Sequence, residues 1–161
     1  MILLSLLLAA GQVTPVQPIV KGTGLPPAVV TEEAGVMVPI NAMFAALAAR
    51  DGQALLAQVR PEGGATAVEE KADGTRIIRR TGWSDFAAGL KPGPERYAER
   101  LTDPAVDIDG DIAMVWSPYV FTIDGRVAHC GTDHFDMVRE AGRWKILNIT
   151  WSKRTTGCPA Q

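Results

Sequence analysis

His129 and Asp133 stand four residues apart within a stretch, residues 112–151, that reads as three apolar-rich strands. Side chains alternate across a strand, so residues an even number apart share a face. An imidazole beside a carboxylate is the equipment of a general base with its orienting group, which makes His129 and Asp133 the candidate catalytic residues. The same pair would equally serve as a hydrogen-bonded network closing one end of a sheet. An aspartate held in an apolar pocket would have a raised pKa, and that would favour the enzyme reading.

Two tight-turn signals, Asp124-Gly125 and Ala141-Gly142, fold this stretch into an antiparallel meander. With each pair as the centre of a primed turn, regular pairing sets Val120 against His129, Trp116 against Asp133 and Met114 against Phe135. It also sets Met137 against Ile146, Phe135 against Asn148 and Asp133 against Thr150. One face then collects Ile112, Met114, Trp116, Phe135, Met137 and Ile146, with a polar island of His129, Asp133, Asn148 and Thr150 toward one end. Asn148 and Thr150 would hydrogen-bond a ligand carbonyl there, and Trp116 would line the pocket beside Asp133.

The opposite face would hold Tyr119, Phe121, Cys130, Thr132, His134, Leu147, Ile149 and Trp151. It is too apolar to stand bare in water, so a partner subunit or another part of the chain should cover it. Pro118 marks a bulge or an edge, and a bulge reverses every side chain beyond it, which would bring Tyr119 to the pocket side as a ligand-binding residue.

No metal site is expected. His134 is an odd number of residues from His129, which sends the two rings to opposite faces. Asp107, Asp109 and Asp111 hint at a calcium loop, but Ile112 stands where such a loop needs glycine. Gly22-Thr23-Gly24 lacks the third glycine of a dinucleotide fingerprint and runs into prolines, so no cofactor is expected either. Cys130 and Cys158 either form a disulfide, worth on the order of 3–4 kcal/mol by loop closure, or remain two thiols.

The elements that must position these residues come earlier. Thr31-Glu32-Glu33 caps a helix over residues 31–50 whose Met37, Ile40, Phe44 and Leu47 fall at helical spacing. Pro39 either kinks that helix or begins it. Asp51 caps a second helix over residues 52–59, ended by Pro61 and Gly63-Gly64. A hairpin about Asp73-Gly74, a third helix over residues 82–90 and a strand over residues 97–108, broken near Asp103-Pro104, lead into the meander. Helices first and a mostly antiparallel sheet after is an α+β pattern.

At 161 residues and 47% hydrophobic, the chain suits one globular domain. Sixteen basic against eighteen acidic residues, with no long like-charge run, favour neither nucleic acid nor an anionic membrane as partner. Residues 1–11 open on an apolar run of signal-peptide length, too short to span a bilayer, and predict export to the periplasm or the medium. Residues 12–30 read as a flexible linker, residues 31–158 as the folded domain and residues 159–161 as a tail.

The order of elements, with Ala113-Met114-Val115-Trp116, Tyr119-x-Phe121, Asp124-Gly125-Arg126, His129-Cys130-Gly131, Asp133-x-Phe135 and Gly142-Arg143-Trp144-Lys145-Ile146, resembles the nuclear transport factor 2-like superfamily, including its SnoaL-like and ketosteroid isomerase-like proteins. It looks most like small exported bacterial members. The resemblance implies a cystatin-like cone, with N-terminal helices packed in the concavity of a strongly bent sheet around an internal pocket. It also implies frequent dimerisation through the outer sheet face. Family enzymes isomerise, dehydrate or cyclise small hydrophobic molecules with an Asp or His base, and many members have no known activity. Three functions are therefore expected in turn: binding of a small apolar or partly polar ligand, a dimeric interaction module without activity, and an isomerase or dehydratase.

Overall fold

The computed structural model describes residues 31–71 and 73–159. The expected signal peptide and linker, residues 1–30, lie outside the described residues. Helix α1 (Glu32–Ala49) starts where Thr31 Oγ1 accepts the Ala34 amide at 3.1 Å. Pro39 lies inside it, buried, and not at its first turn. α1 ends at Arg50, whose backbone is left-handed (φ 55) and whose guanidinium bonds the Lys91 and Glu95 carbonyls and lies 4.0 Å from the centre of the Tyr97 ring. Asp51 caps the short α2 (Gly52–Leu56), which is shorter than the spacing predicts. Pro61, Gly63 and Gly64 lie within strand β1 (Val59–Glu70) and do not terminate a helix.

β2 (Arg76–Gly82) returns antiparallel to β1, and α3 (Trp83–Ala88) follows. The expected broken strand is two strands, β3 (Tyr97–Leu101) and β4 (Ala105–Asp109). The meander is β5 (Ile112–Ile123), β6 (Arg126–Glu140) and β7 (Arg143–Lys153). All seven strands form one sheet in the order β2-β1-β7-β6-β5-β3, with β4 also on β5, and only β1 against β7 is parallel. This is the expected α+β architecture. The helices cover one face, and Val36, Ile40, Leu55, Trp83, Val115, Phe135 and Ile146 are almost wholly buried between the layers.

Both hairpin turns are of the primed kind, with positive φ at Asp124 and Gly125 and at Ala141 and Gly142. The register beyond them is not the regular one. Ile123 faces Arg126 and Thr122 faces Val127, but Phe121 faces His129, so Ala128 is an extra residue on β6. Met137 faces Ile146 but Asp136 faces Asn148, so Leu147 is an extra residue on β7. Each bulge shifts the pairing by one and reverses the faces beyond it. The Leu147 bulge has its own support: its carbonyl accepts the buried Trp83 indole N–H at 3.0 Å. Pro118 causes neither bulge. Its carbonyl points toward β3 and accepts the Thr102 amide at 2.8 Å, so its missing N–H faces the break between β3 and β4 and removes no bond to β6.

Candidate functional site

A cavity of about 180 Å³ lies between the helices and the inner sheet face. Its walls are mostly apolar: Met43 and Leu47 from α1, Leu55 from α2, Trp83 and Phe86 from α3, and Phe121, Ile149 and Trp151 from the sheet. Edge-on contacts between Trp83 and Phe86 and between Phe86 and Trp151 tie α3 to β7 across this wall. Four polar side chains also line it: Glu99, Tyr119, His129 and Lys153.

Tyr119 and His129 form a fixed pair. The Tyr119 hydroxyl donates to the Ser152 carbonyl at 3.1 Å and lies 3.0 Å from His129 Nδ1. A carbonyl can only accept, so the hydroxyl proton belongs to Ser152 and Nδ1–H of His129 donates to the tyrosine oxygen. That assigns the tautomer with Nε2 unprotonated, and the Phe121 ring stacks flat on the imidazole at 4.6 Å. Burial, and next the charge of Lys153, lower the His129 pKa to about 4, with Glu69 partly offsetting this, so the ring is neutral at ordinary pH. Burial, and then the charges of Asp133 and Glu99, push the Tyr119 pKa well up.

Asp133 is fully buried, and neither carboxylate oxygen has a hydrogen-bond partner. Its neighbour is Glu99 on β3, and both carboxyls are raised well above the usual carboxylate range. Loss of water is the leading cause for each; the charge of Glu99 adds to it at Asp133, while hydrogen bonding to Asp133 partly offsets it at Glu99. As two ionised groups, neither could donate to the other. One shared proton turns the contact into an O–H···O bond and satisfies Asp133, which is the state the burial demands.

The structure thus brings His129 and Asp133 to the same inner face, with Asp133 behind Glu99 and not on the cavity surface. Tyr119 joins them, brought inward by the Ala128 bulge. The other ligand-binding expectations are corrected. Trp116 is on the outer face, 53% exposed, against the His134 ring. Asn148 is also outside, where it accepts the Gly64 amide at 3.1 Å and donates to Asp136 at 3.3 Å, a brace for the bulged strands. Thr150 is exposed opposite His134. Phe121, Ile149 and Trp151, expected outside, line the cavity. Cys130 and Cys158 form a disulfide beside the C-terminal end of β7, where Cys130 and Arg154 exchange backbone bonds.

Glu99 is the residue the sequence reading missed. Its signal was present: Tyr97, Glu99 and Leu101 alternate, so a strand that turns Tyr97 and Leu101 inward must turn Glu99 inward too. Chemically, the site offers a hydrogen-bond acceptor at His129 Nε2 and a carboxyl pair able to take or give one proton, both within an apolar enclosure.

No family model matches the chain, and no curated protein matches it in sequence. Solved structures do match in fold. A nuclear transport factor 2-like protein of unknown function from Shewanella baltica shares 13% identity over 80% of this chain and 98% of its own, with a TM-score of 0.58. A putative dehydratase of the same family from Streptomyces avermitilis shares 18% over 77% and 96%, at 0.57. The β subunit of a putative aromatic-ring-hydroxylating dioxygenase from Novosphingobium aromaticivorans shares 9% over 83% and 95%, at 0.63. At these identities the likeness is one of fold, and that fold, a layer of helices on a bulged and largely antiparallel sheet, is the cystatin-like cone of the nuclear transport factor 2-like superfamily.

Proposed function

We propose that this chain is an exported small-molecule-binding domain whose cavity receives a largely apolar ligand. The observation that carries this is the cavity itself, about 180 Å³ of space between aromatic and aliphatic side chains where the rest of the interlayer region is filled by core residues. The Cys130–Cys158 disulfide supports export, since such bridges persist in oxidising compartments. Native mass spectrometry of protein purified from its own cell envelope is expected to retain a small molecule. Adding small hydrophobic compounds should also change the emission of Trp83 and Trp151, read in a Trp116→Phe background that removes the exposed indole. Emission unmoved across such compounds, with no bound mass, would rule the reading out.

Catalysis is the second reading, as an isomerase or dehydratase. What favours it is His129 Nε2, a lone pair without a partner among the described residues, facing the same enclosure as a carboxyl pair that holds a transferable proton.

The partner reading moves to different residues. A homodimer through the outer sheet face would use Ile112, Met114 and Trp116, which are 59%, 42% and 53% exposed along one strand. A second copy of the same strip is the self-complementary cover that a two-fold contact provides. Trp116→Glu is expected to convert a dimer to a monomer in sedimentation velocity, while Trp151→Glu would disturb the cavity instead; a sedimentation coefficient insensitive to Trp116 would remove this face from the assembly.

A further inference from the structure

We propose that the occupant of the cavity carries an organic cation, an ammonium or quaternary ammonium group on an apolar body, held against the Glu99 carboxylate. This rests on the ligand-binding reading above and adds the chemical class of the ligand.

The carboxyl pair is electrostatically incomplete. One shared proton satisfies Asp133, but the pair keeps one negative charge, and it falls on Glu99 at the cavity wall. Buried charges are ordinarily paired, because an isolated one costs too much to remove from water. No side chain among the described residues supplies that pairing. Among the described residues Lys153 is the only cation lining the cavity, and its Nζ lies 3.5 Å from Glu69. Among the described residues no ion pair reaches Glu99 or Asp133, and His129 is neutral. The helices present only Met43, Leu47, Leu55, Trp83 and Phe86, none of which is charged.

The walls fit the same answer. Trp83, Phe86, Tyr119, Phe121 and Trp151 surround the space, and ring faces attract cations most strongly where water is excluded. A bare metal ion fits poorly. Hard divalent cations take six or more oxygens, and no group of three or more His, Cys, Asp or Glu side chains suited to a metal occurs among the described residues. An ammonium group on an apolar body uses both the carboxylate and the rings.

The test compares benzyltrimethylammonium, whose charge does not titrate, with its neutral isostere neopentylbenzene, by calorimetry or tryptophan emission. Near pH 8.5 the cation should bind roughly tenfold or more tighter than the isostere. Near pH 6, where the pair takes up its second proton, that advantage should shrink severalfold. Glu99→Gln, checked for an unchanged circular dichroism spectrum, should abolish the advantage and leave neopentylbenzene binding intact. Equal binding of the two probes, or an advantage indifferent to pH, overturns the cation assignment while leaving the ligand site standing. Tighter binding of the neutral ketone acetophenone near pH 6 than near pH 8.5, without a preference for the cation, would overturn it too, making the pair a hydrogen-bond donor. If neither isostere binds, the cation assignment falls, and the broader ligand reading falls only if the native-mass and emission experiments are also negative.

Discussion

Gly131→Ala is expected to cost about 3 kcal/mol or more of unfolding free energy. An ideal Cβ at this position would lie 1.9 Å from the Ser152 carbonyl oxygen and 2.8 Å from its hydroxyl. Those are contacts with the neighbouring strand, not with the end of a flexible side chain, so β6 and β7 would have to separate. They are pinned on both sides: Ser152 Oγ accepts the Thr132 amide at 3.0 Å, and Cys130 holds Arg154 through backbone bonds and Cys158 through the disulfide. The same glycine stands opposite Tyr119, whose ring must cross β6 to reach Ser152. Alanine would therefore loosen the bond that fixes the His129 tautomer. Gly82→Ala is the control, since nothing lies within 4 Å of its added methyl group, and it should stay within about 0.5 kcal/mol. Urea unfolding followed by circular dichroism measures both. Equal midpoints for the two variants would mean that the strands yield freely and that the contact does not constrain the site.

The fold was legible because its signals are local and agree with one another. Thr31 and Asp51 are capping residues, and Asp124-Gly125 and Ala141-Gly142 are primed-turn pairs; each does in the structure what its type predicts. The site was only half legible. His129 and Asp133 share a face because no bulge lies between them, so parity alone places them together. Trp116, Asn148 and Thr150 are each separated from that pair by a bulge, and a single extra residue reverses the answer. Neither bulge has a strong sequence signal: Ala128 and Leu147 are ordinary strand residues, and what stabilises the second is an indole more than sixty positions away. Of the two expectations for Pro118 the edge holds and the bulge does not: its missing amide faces the break between β3 and β4, and the bulge lies at Ala128. Glu99 was missed for a different reason. It looks like a solvated charge until Tyr97 and Leu101 beside it are seen to point inward.

His129 and Asp133 should pull the pH dependence of stability in opposite directions. His129 titrates at about 4 in the folded chain and near its ordinary 6.5 when unfolded. A depressed folded pKa means that its contribution is complete above 6.5 and is lost as pH falls toward 4, on the order of 1–2 kcal/mol by pH 5. Asp133 behaves in the opposite sense. Its folded pKa is raised, so its contribution is complete below the unfolded value of about 3.8 and is lost as pH rises toward the folded one. Between pH 7 and pH 9 His129 no longer titrates in either state, and the carboxyl pair acts without that opposing contribution. Asp133→Asn keeps the shape and removes the proton uptake on folding, so it should be more stable than the parent at pH 9, by about 2 kcal/mol, with a shallower decline from pH 7. Glu99 remains and keeps part of the slope. His129→Gln should lack the gain that His129 gives between pH 5 and pH 7 and run parallel to the parent from pH 7 to pH 9. Denaturant unfolding of the three proteins at pH 5, 7 and 9 separates the two contributions. Parallel curves for the parent and Asp133→Asn from pH 7 to pH 9 would show that the aspartate takes up no proton on folding, and the shared-proton pair with Glu99 would be ruled out.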